Sequence, residues 1–440
     1  MVAEAAVAGE AVCGPLEACR TFLERLDAPK RILVAISGGS DSTGLLVALS
    51  KTLQMRPAGF ELCAATVDHG LRPGSLDEAM AVHGLCESLG IPHDVLCWKG
   101  DKPETGLMAA AREARYRLLE GAACRLGCDL IMTGHTLDDQ IETVAMRGAR
   151  SEVGRGLSGM AEDTLLNGRM WMFRPFLSIR RAAIRDFLRE ERVSWIDDPS
   201  NDNTRFERVR VRQEPVVGVD PSQIVSAGAA RRRLAGGAAE AILSAAQCPL
   251  PGYYTMAAKA VDNEAGWLAL KTLISVAGGQ HFLPACEQAD ALRSQLADGG
   301  DFRHTLSRCV VERRGETLYL CRERRDLPHL VLQAGEIAIW DGRFTIENLA
   351  PLPIEVTAAL GRPAFDDGVF AGTPKRVAAL IRQVLPFVED ADNDRFRLTP
   401  YLAPFERFLT GFDFELARAV ANAAGRAEFP RQILRSTAKK

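Results

Sequence analysis

Residues 31–50, RILVAISGGSDSTGLLVALS, set an apolar run against a helix-period run with six small or acidic residues between them. ILVAI reads as a buried strand, and TGLLVALS continues at helical period. Between them lie Ser37, Gly38, Gly39, Ser40, Asp41 and Ser42. A Gly pair after a buried strand lets the backbone turn sharply and bring its N–H groups up to a ligand, because no Cβ blocks the approach. The hydroxyls add donors, and the following helix turns its positive N-terminus toward an anion. The stretch is therefore a phosphate cradle, or else an ordinary tight turn with a Ser or Asp cap. It lacks the lysine of Gly-x-x-x-x-Gly-Lys-Ser/Thr, so it is not that nucleotide loop. Asp41 inside a phosphate site repels its ligand unless a cation mediates, which implies Mg²⁺.

Outward from this loop, strand-like and helix-like runs alternate. LCAATV at 62–67 precedes SLDEAMAVHGLCESLG, HDVLCW at 93–98 precedes LMAAAREARYRLLEGAACRLG, and DLIMTG at 129–134 precedes DQIETVAMRGA. This alternation predicts an α/β fold with a parallel, doubly wound sheet, whose ligands bind beyond the carboxyl ends of the strands. The polar stretches obey that rule: SGGSDS, DHGLR and GHTLDD each end a strand. Beyond residue 150 the pattern changes. Between Arg147 and Arg212 there are 14 Arg and no Lys against 10 acids, a local positive excess. The small-residue, Gly- and Pro-containing stretch at 214–238 reads as a boundary region. Two hairpins are predicted further on, CVVERRGETLYLCRER turning at Arg314-Gly315 and EIAIWDGRFTIEN turning at Asp-Gly. The expected domains are an α/β domain over 1–215, a mainly helical linker domain over 216–330, and an α+β domain over 331–440.

With 440 residues, 47% of them apolar, the chain can bury several cores and is not a disordered protein. A formal charge of −3 leaves nucleic-acid binding to a local basic patch. Eleven cysteines without regular spacing suit a reducing cytosol, and the Cys124/Cys128 spacing fits one helix face. No apolar run approaches the length of a membrane span, and the first residues carry acids where a signal peptide is basic. Together these point to a cytoplasmic protein.

SGGSDS after ILVAI resembles the pyrophosphate (PP) loop of the N-type ATP pyrophosphatases, which split ATP between the α and β phosphates. Within that group, VDHGLRPGS at 67–75, GHTLDDQIET at 134–143, RPFLSIRRAAIRDFL at 174–188 and WIDDPSNDN at 195–203 look like the tRNA(Ile)-lysidine synthetases. The resemblance covers roughly residues 31–212. It implies that ATP adenylates the C2 carbonyl oxygen of the wobble cytidine (position 34) in an isoleucine tRNA with a CAU anticodon, after which the amine of free lysine displaces AMP. Two departures stand out: Val209 follows Arg208 where the family has Asn, and Ser151, Glu152 and Val153 replace part of a Gly-rich stretch.

Each site residue fits a part of that chemistry. Negative charge builds on the pyrophosphate leaving group, so backbone donors, Mg²⁺ and fixed cations are needed. Residues 37–42 supply the donors, with Asp41 as metal ligand. Asp68, His69 and Arg72 follow the second strand, where an adenine or ribose edge sits in this architecture, or they form an Asx turn with a surface Arg. Arg112 and Arg115 lie at i, i+3 on one helix, and the family match makes Arg115 a candidate for holding the adenylate; a solvated helix face is the alternative. Asp138, Asp139 and Glu142 open the helix after GHT. Lysine arrives as an ammonium ion with a pKa near 10.4 and must lose a proton before it attacks. Asp139 and Glu142 are expected to bind and deprotonate it and Asp138 to share the metal, unless these acids only cap the helix. His135 is expected as a base or as a contact to the adenylate, or else satisfied by backbone. Arg205, Arg208 and Arg212 fit phosphate contacts to tRNA, as does Arg112, though a salt-bridged surface has the same pattern. A homodimer is compatible with this reading. Two rivals remain: a tRNA-thiolating member of the same group, which needs a reactive Cys, and a passive adenine-nucleotide-binding module.

Overall fold

The computed structural model describes residues 14–55, 59–70, 74–100, 102–148, 155–197, 219–360, 367–389 and 394–435. Arg72, Arg205, Arg208 and Arg212, both departures from the family pattern, and most of the acidic turn at 195–203 lie outside these residues. The chain divides into two compact units, residues 1–231 with 431–440, and residues 232–430.

The first unit is built in the expected order. After α1 (Pro15–Arg25) come β1 (Arg31–Ala35), α2 (Ser40–Met55), β2 (Glu61–Asp68), α3 (Ser75–Ser88), β3 (His93–Cys97), α4 (Leu107–Arg125), β4 (Leu130–Thr133) and α5 (Leu137–Gly148). A hairpin of β5 (Asp163–Leu166) and β6 (Met170–Phe173), then α6 (Arg181–Glu190) and α7 (Pro221–Ala245), follow. The strand order is β3-β2-β1-β4-β6-β5. Pairing is parallel except between β5 and β6, which run antiparallel. Ile32, Leu33 and Val34 are wholly buried, as expected of a strand covered on both faces. Alternation decides which side each takes: Leu33 packs with Cys63, Ile131 and Met172 against Tyr116, Leu119, Ala122 and Ala123 of α4.

The chain runs outward from β1 through β2 to β3 and then returns to place β4 on the other side of β1. This reversal opens a crevice between the carboxyl ends of β1 and β4. Those ends carry SGGSDS and GHTLDD.

Residues 431–435 complete the same unit. The Asp27 amide donates to the Ile433 carbonyl at 2.9 Å and Leu434 bridges Leu26, while Trp171 Nε1 donates to the Arg431 carbonyl at 3.0 Å.

One local expectation is refined and another changes. The division between the two units falls after Arg231, inside the small-residue stretch, but from Pro221 onward that stretch is helix, within α7, because its many alanines favour helix and its three glycines cost too little to break it. Cys124 and Cys128 do not share a helix face: α4 stops at Arg125, and Cys128 lies past Gly127 in the turn leading to β4.

The second unit carries an antiparallel sheet in the order β7-β8-β11-β10-β9, built from β7 (Ala246–Leu250), β8 (Tyr253–Ala257), β9 (Phe302–Leu306), β10 (Cys309–Arg314) and β11 (Thr317–Arg322). The helices α8 (Glu264–Gly278) and α9 (Cys286–Ala297) fall within this span, and α8 packs on the sheet. The β10–β11 hairpin pairs Arg314 with Thr317 around Gly315, as the sequence predicts. The second predicted hairpin is also present. It joins β12 (Ile337–Trp340) to β13 (Phe344–Asn348), and Asp341 and Gly342 have φ of 56° and 69°. Positive φ at both central residues is what an Asp-Gly hairpin turn requires. The Asp341 carboxylate is fully buried and is clamped by the guanidiniums of Arg308, Arg322 (Nε, 3.1 Å) and Arg343 (Nε, 2.7 Å). Burial pushes Arg343 down to about 10 against the pull of Asp341.

Candidate active site

The loop after β1 is held in shape by its own side chains. Gly38 has φ +85°, and a Cβ there would meet Ile196 Cδ1 at 2.8 Å, so only glycine fits. Ser42 Oγ accepts from the Ser37 amide at 3.1 Å and donates to the Gly39 carbonyl at 3.1 Å. The Thr43 hydroxyl and the Ile196 amide both donate to the Gly38 carbonyl, at 3.1 and 2.9 Å. Loop carbonyls are thereby satisfied internally. The amides of Gly38, Gly39, Ser40 and Asp41 donate to no acceptor among the described residues. They open the first turn of α2, so dipole and donors coincide.

Gly134 brings the end of β4 against this loop. A Cβ on it would lie 2.6 Å from the Asp41 carbonyl oxygen and 2.8 Å from the Ser42 nitrogen. Two residues later, Thr136 and Asp139 form a reciprocal cap on α5. Asp139 Oδ2 accepts from the Thr136 amide at 2.8 Å and its hydroxyl at 2.9 Å, and Thr136 Oγ1 accepts from the Asp139 amide at 3.3 Å. Capping thus uses one oxygen of Asp139 and leaves Oδ1 facing the crevice.

What meets that oxygen is Arg181, which the sequence reading did not single out. Its Nε donates to Asp41 Oδ2 at 2.8 Å, its Nη2 to Asp139 Oδ1 at 3.0 Å and its Nη1 to Glu142 Oε1 at 3.4 Å. The approach depends on Gly44 in α2. A Cβ there would sit 2.2 Å from Ile184 Cγ2, so glycine lets α6 lie close enough for its first residue to reach across. Asp138 serves the same helix: Oδ2 accepts from the Arg181 amide at 2.7 Å and Oδ1 from Arg180 at 3.4 Å. Arg185, one turn on, reaches Ser40 Oγ at 3.4 Å.

Three carboxylates around one guanidinium leave a surplus of negative charge. Burial lowers the pKa of Arg181, but Asp41 and Asp139, then Glu142, outweigh it and hold the pKa above the usual arginine value. Asp41 moves up as well, from burial first; Arg181 pulls it down and Asp139 pushes it further up. The carboxylates thus dominate at Arg181, whereas at Asp41 burial outweighs the pull of the guanidinium.

A second group lies at the carboxyl end of β2. Asp68 Oδ1 accepts from the Gly70 amide at 2.8 Å in an Asx turn. Arg115 donates to His69 Nε2 at 3.2 Å, and the His69 ring stands edge-on to Trp98. Donation into Nε2 places the ring proton on Nδ1, which is buried and has no hydrogen-bond partner among the described residues. Burial, then Arg115, lowers the His69 pKa. Arg112 stacks on Tyr116, 5.0 Å from the ring centroid. His135 Nδ1 pairs with the Thr133 hydroxyl at 2.9 Å. The structure therefore gathers residues 37–42, Asp138, Asp139 and Glu142 at the crevice, while His69 pairs with Arg115.

No group of three or more His, Cys, Asp or Glu positioned to hold a metal occurs among the described residues. Magnesium does not require one, because it takes one or two carboxylates and completes its shell with phosphate oxygens and water. Asp41 and Asp139, which already turn an oxygen each to one cationic centre, fit that donor set. Two of the cysteines beside the sheet are unsuited to sulfur transfer. Cys63 and Cys128 are buried, and burial and Cys63 push the Cys128 thiol up to about 12.

A PP-loop domain family matches residues 17–217. Three relatives, each named tRNA(Ile)-lysidine synthase, align over nearly the whole chain. The protein of Rhizobium meliloti is 41% identical over 439 residues, covering 94% of this chain and 96% of that one. That of Mesorhizobium japonicum is 42% identical, with 93% and 95% covered. That of Brucella anthropi is 38% identical, with 90% and 94% covered.

Proposed function

This chain belongs to the tRNA(Ile)-lysidine synthase family, and we propose that it uses ATP to join lysine to C2 of the wobble cytidine in an isoleucine tRNA with a CAU anticodon. The observation that carries the reading is the crevice between β1 and β4, where amides unused by the protein face outward beside carboxylates converging on one cation.

In this reading the amides of residues 38–41 and the start of α2 grip the β and γ phosphates of ATP. Asp41 and Asp139 would hold Mg²⁺, in place of the expected Asp138, whose oxygens face the Arg181 amide and Arg180; the ion would supply positive charge to the phosphates. The cytidine O2 attacks the α-phosphorus, the bond to the bridging oxygen breaks, and pyrophosphate leaves. Lysine then attacks C2, and O2 departs with AMP. Asp139 and Glu142 hold the incoming ammonium and accept its proton, because only the neutral amine is a nucleophile. The Nδ1–H of His69, fixed by Arg115, is a donor suited to the adenosine moiety. Arg112, Arg205, Arg208 and Arg212 serve tRNA phosphates, and residues 232–430 position the tRNA by shape and backbone contact. Among the described residues no helix is long and apolar enough to cross a membrane, and we place the reaction in the cytoplasm.

Pyrophosphate release measured with the isoleucine and methionine CAU tRNAs side by side, with and without lysine, tests the reading. Release is expected only with the isoleucine tRNA, with Asp41→Ala inactive. Release indifferent to tRNA, or none with any tRNA, would overturn it.

A further inference from the structure

Arg181 begins at a fixed point, since its own amide is held by Asp138 Oδ2 at 2.7 Å. From there its three nitrogens reach three carboxylates contributed by two helices: Asp41 on α2, and Asp139 and Glu142 on α5. Asp139 and Glu142 are only 6% and 5% exposed. Any cation that this pocket takes, a divalent ion or an ammonium group, competes with the guanidinium for Asp41 Oδ2, Asp139 Oδ1 and Glu142 Oε1, the oxygens turned to the centre of the pocket. The guanidinium cannot lose its proton to make room, so it must move.

We propose that Arg181 is the resident counter-ion of the acid pocket, that a substrate or metal cation enters by exchange with it, and that this exchange sets how readily the pocket accepts a cation. The inference rests on reading the pocket as the ligase's cation site. Carboxylates this deeply buried are costly without a positive charge beside them, so a built-in cation keeps the crevice folded around them. The Arg181 side chain is 21% exposed, against 9% for the Asp139 side chain and 6% for that of Glu142, and Asp41 is as open at 20%, so the guanidinium reaches the two α5 acids from the solvent side and can withdraw without passing them. Where it goes is also indicated. Arg185, one turn along α6, already reaches Ser40 Oγ at 3.4 Å, so this helix face borders the phosphate loop. A displaced guanidinium therefore moves toward phosphate. Arg181 is a positioning residue in this scheme: it acts by yielding its place.

The test is equilibrium binding of Mn²⁺ alone, followed by electron paramagnetic resonance, to the full chain and to its Arg181→Gln and Arg181→Lys variants. Removing the competitor should make Arg181→Gln bind about tenfold tighter, 1.4 kcal/mol at 25 °C. Arg181→Lys keeps the charge but cannot span three carboxylates, and should fall between. Unchanged or weaker binding by a folded Arg181→Gln overturns the proposal. Should that variant not fold, phenylglyoxal modification of Arg181 in the unaltered chain decides, read from its peptide by mass spectrometry. Saturating Mn²⁺ should accelerate the modification, and no change or protection overturns the exchange. Neither measurement uses tRNA or ATP, so a negative result leaves lysidine formation standing, whereas absent pyrophosphate release would remove the ligase reading itself.

Discussion

Gly134→Ala tests whether the phosphate loop is positioned by the backbone behind it. The added Cβ would stand 2.6 Å from the Asp41 oxygen and 2.8 Å from the Asp41 carbonyl carbon and the Ser42 nitrogen. Ordinary carbon contacts begin near 3.5 Å, so the two segments must part by roughly 0.7–0.9 Å. All three obstacles are main-chain atoms, and no rotamer change relieves them. Overpacking of this kind costs about 1–3 kcal/mol, which lowers the melting temperature by roughly 2–12 °C for a unit of this size. The catalytic effect should be larger, because the amides that grip phosphate sit on the displaced segment. A shift near 1 Å costs on the order of a hundredfold in rate. Steady-state pyrophosphate release gives kcat and the KM for ATP, and a thermal melt gives stability. Gly121→Ala is the control: a Cβ there meets nothing within 4 Å, and replacing a glycine inside α4 should stabilise by about 1 kcal/mol. If Gly134→Ala kept kcat within about threefold, under 1 kcal/mol of barrier, the close approach would not be what holds the loop.

Asp41→Asn should melt above the parent at pH 7 while losing turnover. Burial raises the Asp41 carboxyl above its ordinary 3.8, so its contribution to stability is full below that value and is lost as pH rises through the raised one. The difference in melting temperature should shrink toward pH 4, and a variant less stable at pH 7 would refute the account. Arg115→Gln should raise the His69 pKa, since Arg115 is the nearest cation lowering it; an NMR titration of the ring that shows no rise would contradict the pairing. Asp341→Asn removes the one carboxylate shared by three guanidiniums and should destabilise residues 232–430 by about 3–5 kcal/mol. A loss under about 1 kcal/mol in denaturant melts would mean the cluster is not bracing that unit.

The parallel sheet was legible because its signal is local. ILVAI, LCAATV and DLIMTG each declare a covered strand by composition, and the Asp-Gly at 341–342 declares its turn. Asp139 and Glu142 were legible for a similar reason, as acids one turn apart on the helix that follows β4. Arg181 was not. It is one of 14 arginines in a stretch that reads equally as solvated surface, and its contacts depend on Gly44 admitting α6, an approach between residues 140 positions apart. The β5–β6 hairpin is a different case, because Asn167-Gly168 in LLNGRMW is a strong turn signal, and both residues have positive φ. The four-residue strands beside it are short, and the arginine density around them drew attention elsewhere. The Cys124/Cys128 spacing misled because a four-residue interval looks helical even when Gly127 has already ended the helix.

Residues 431–435, through a single bridge at Leu434 and its flanking hydrogen bonds, finish a body begun at residue 15, with some 200 residues of other structure spelled out between them. On a ribosome adding about 5–20 residues per second, that interval lasts roughly 10–40 s. Throughout it, the Asp27 amide and the Trp171 indole lack the carbonyls they will later meet. The nucleotide-handling half of this molecule, although translated first, is thus the half whose assembly closes last.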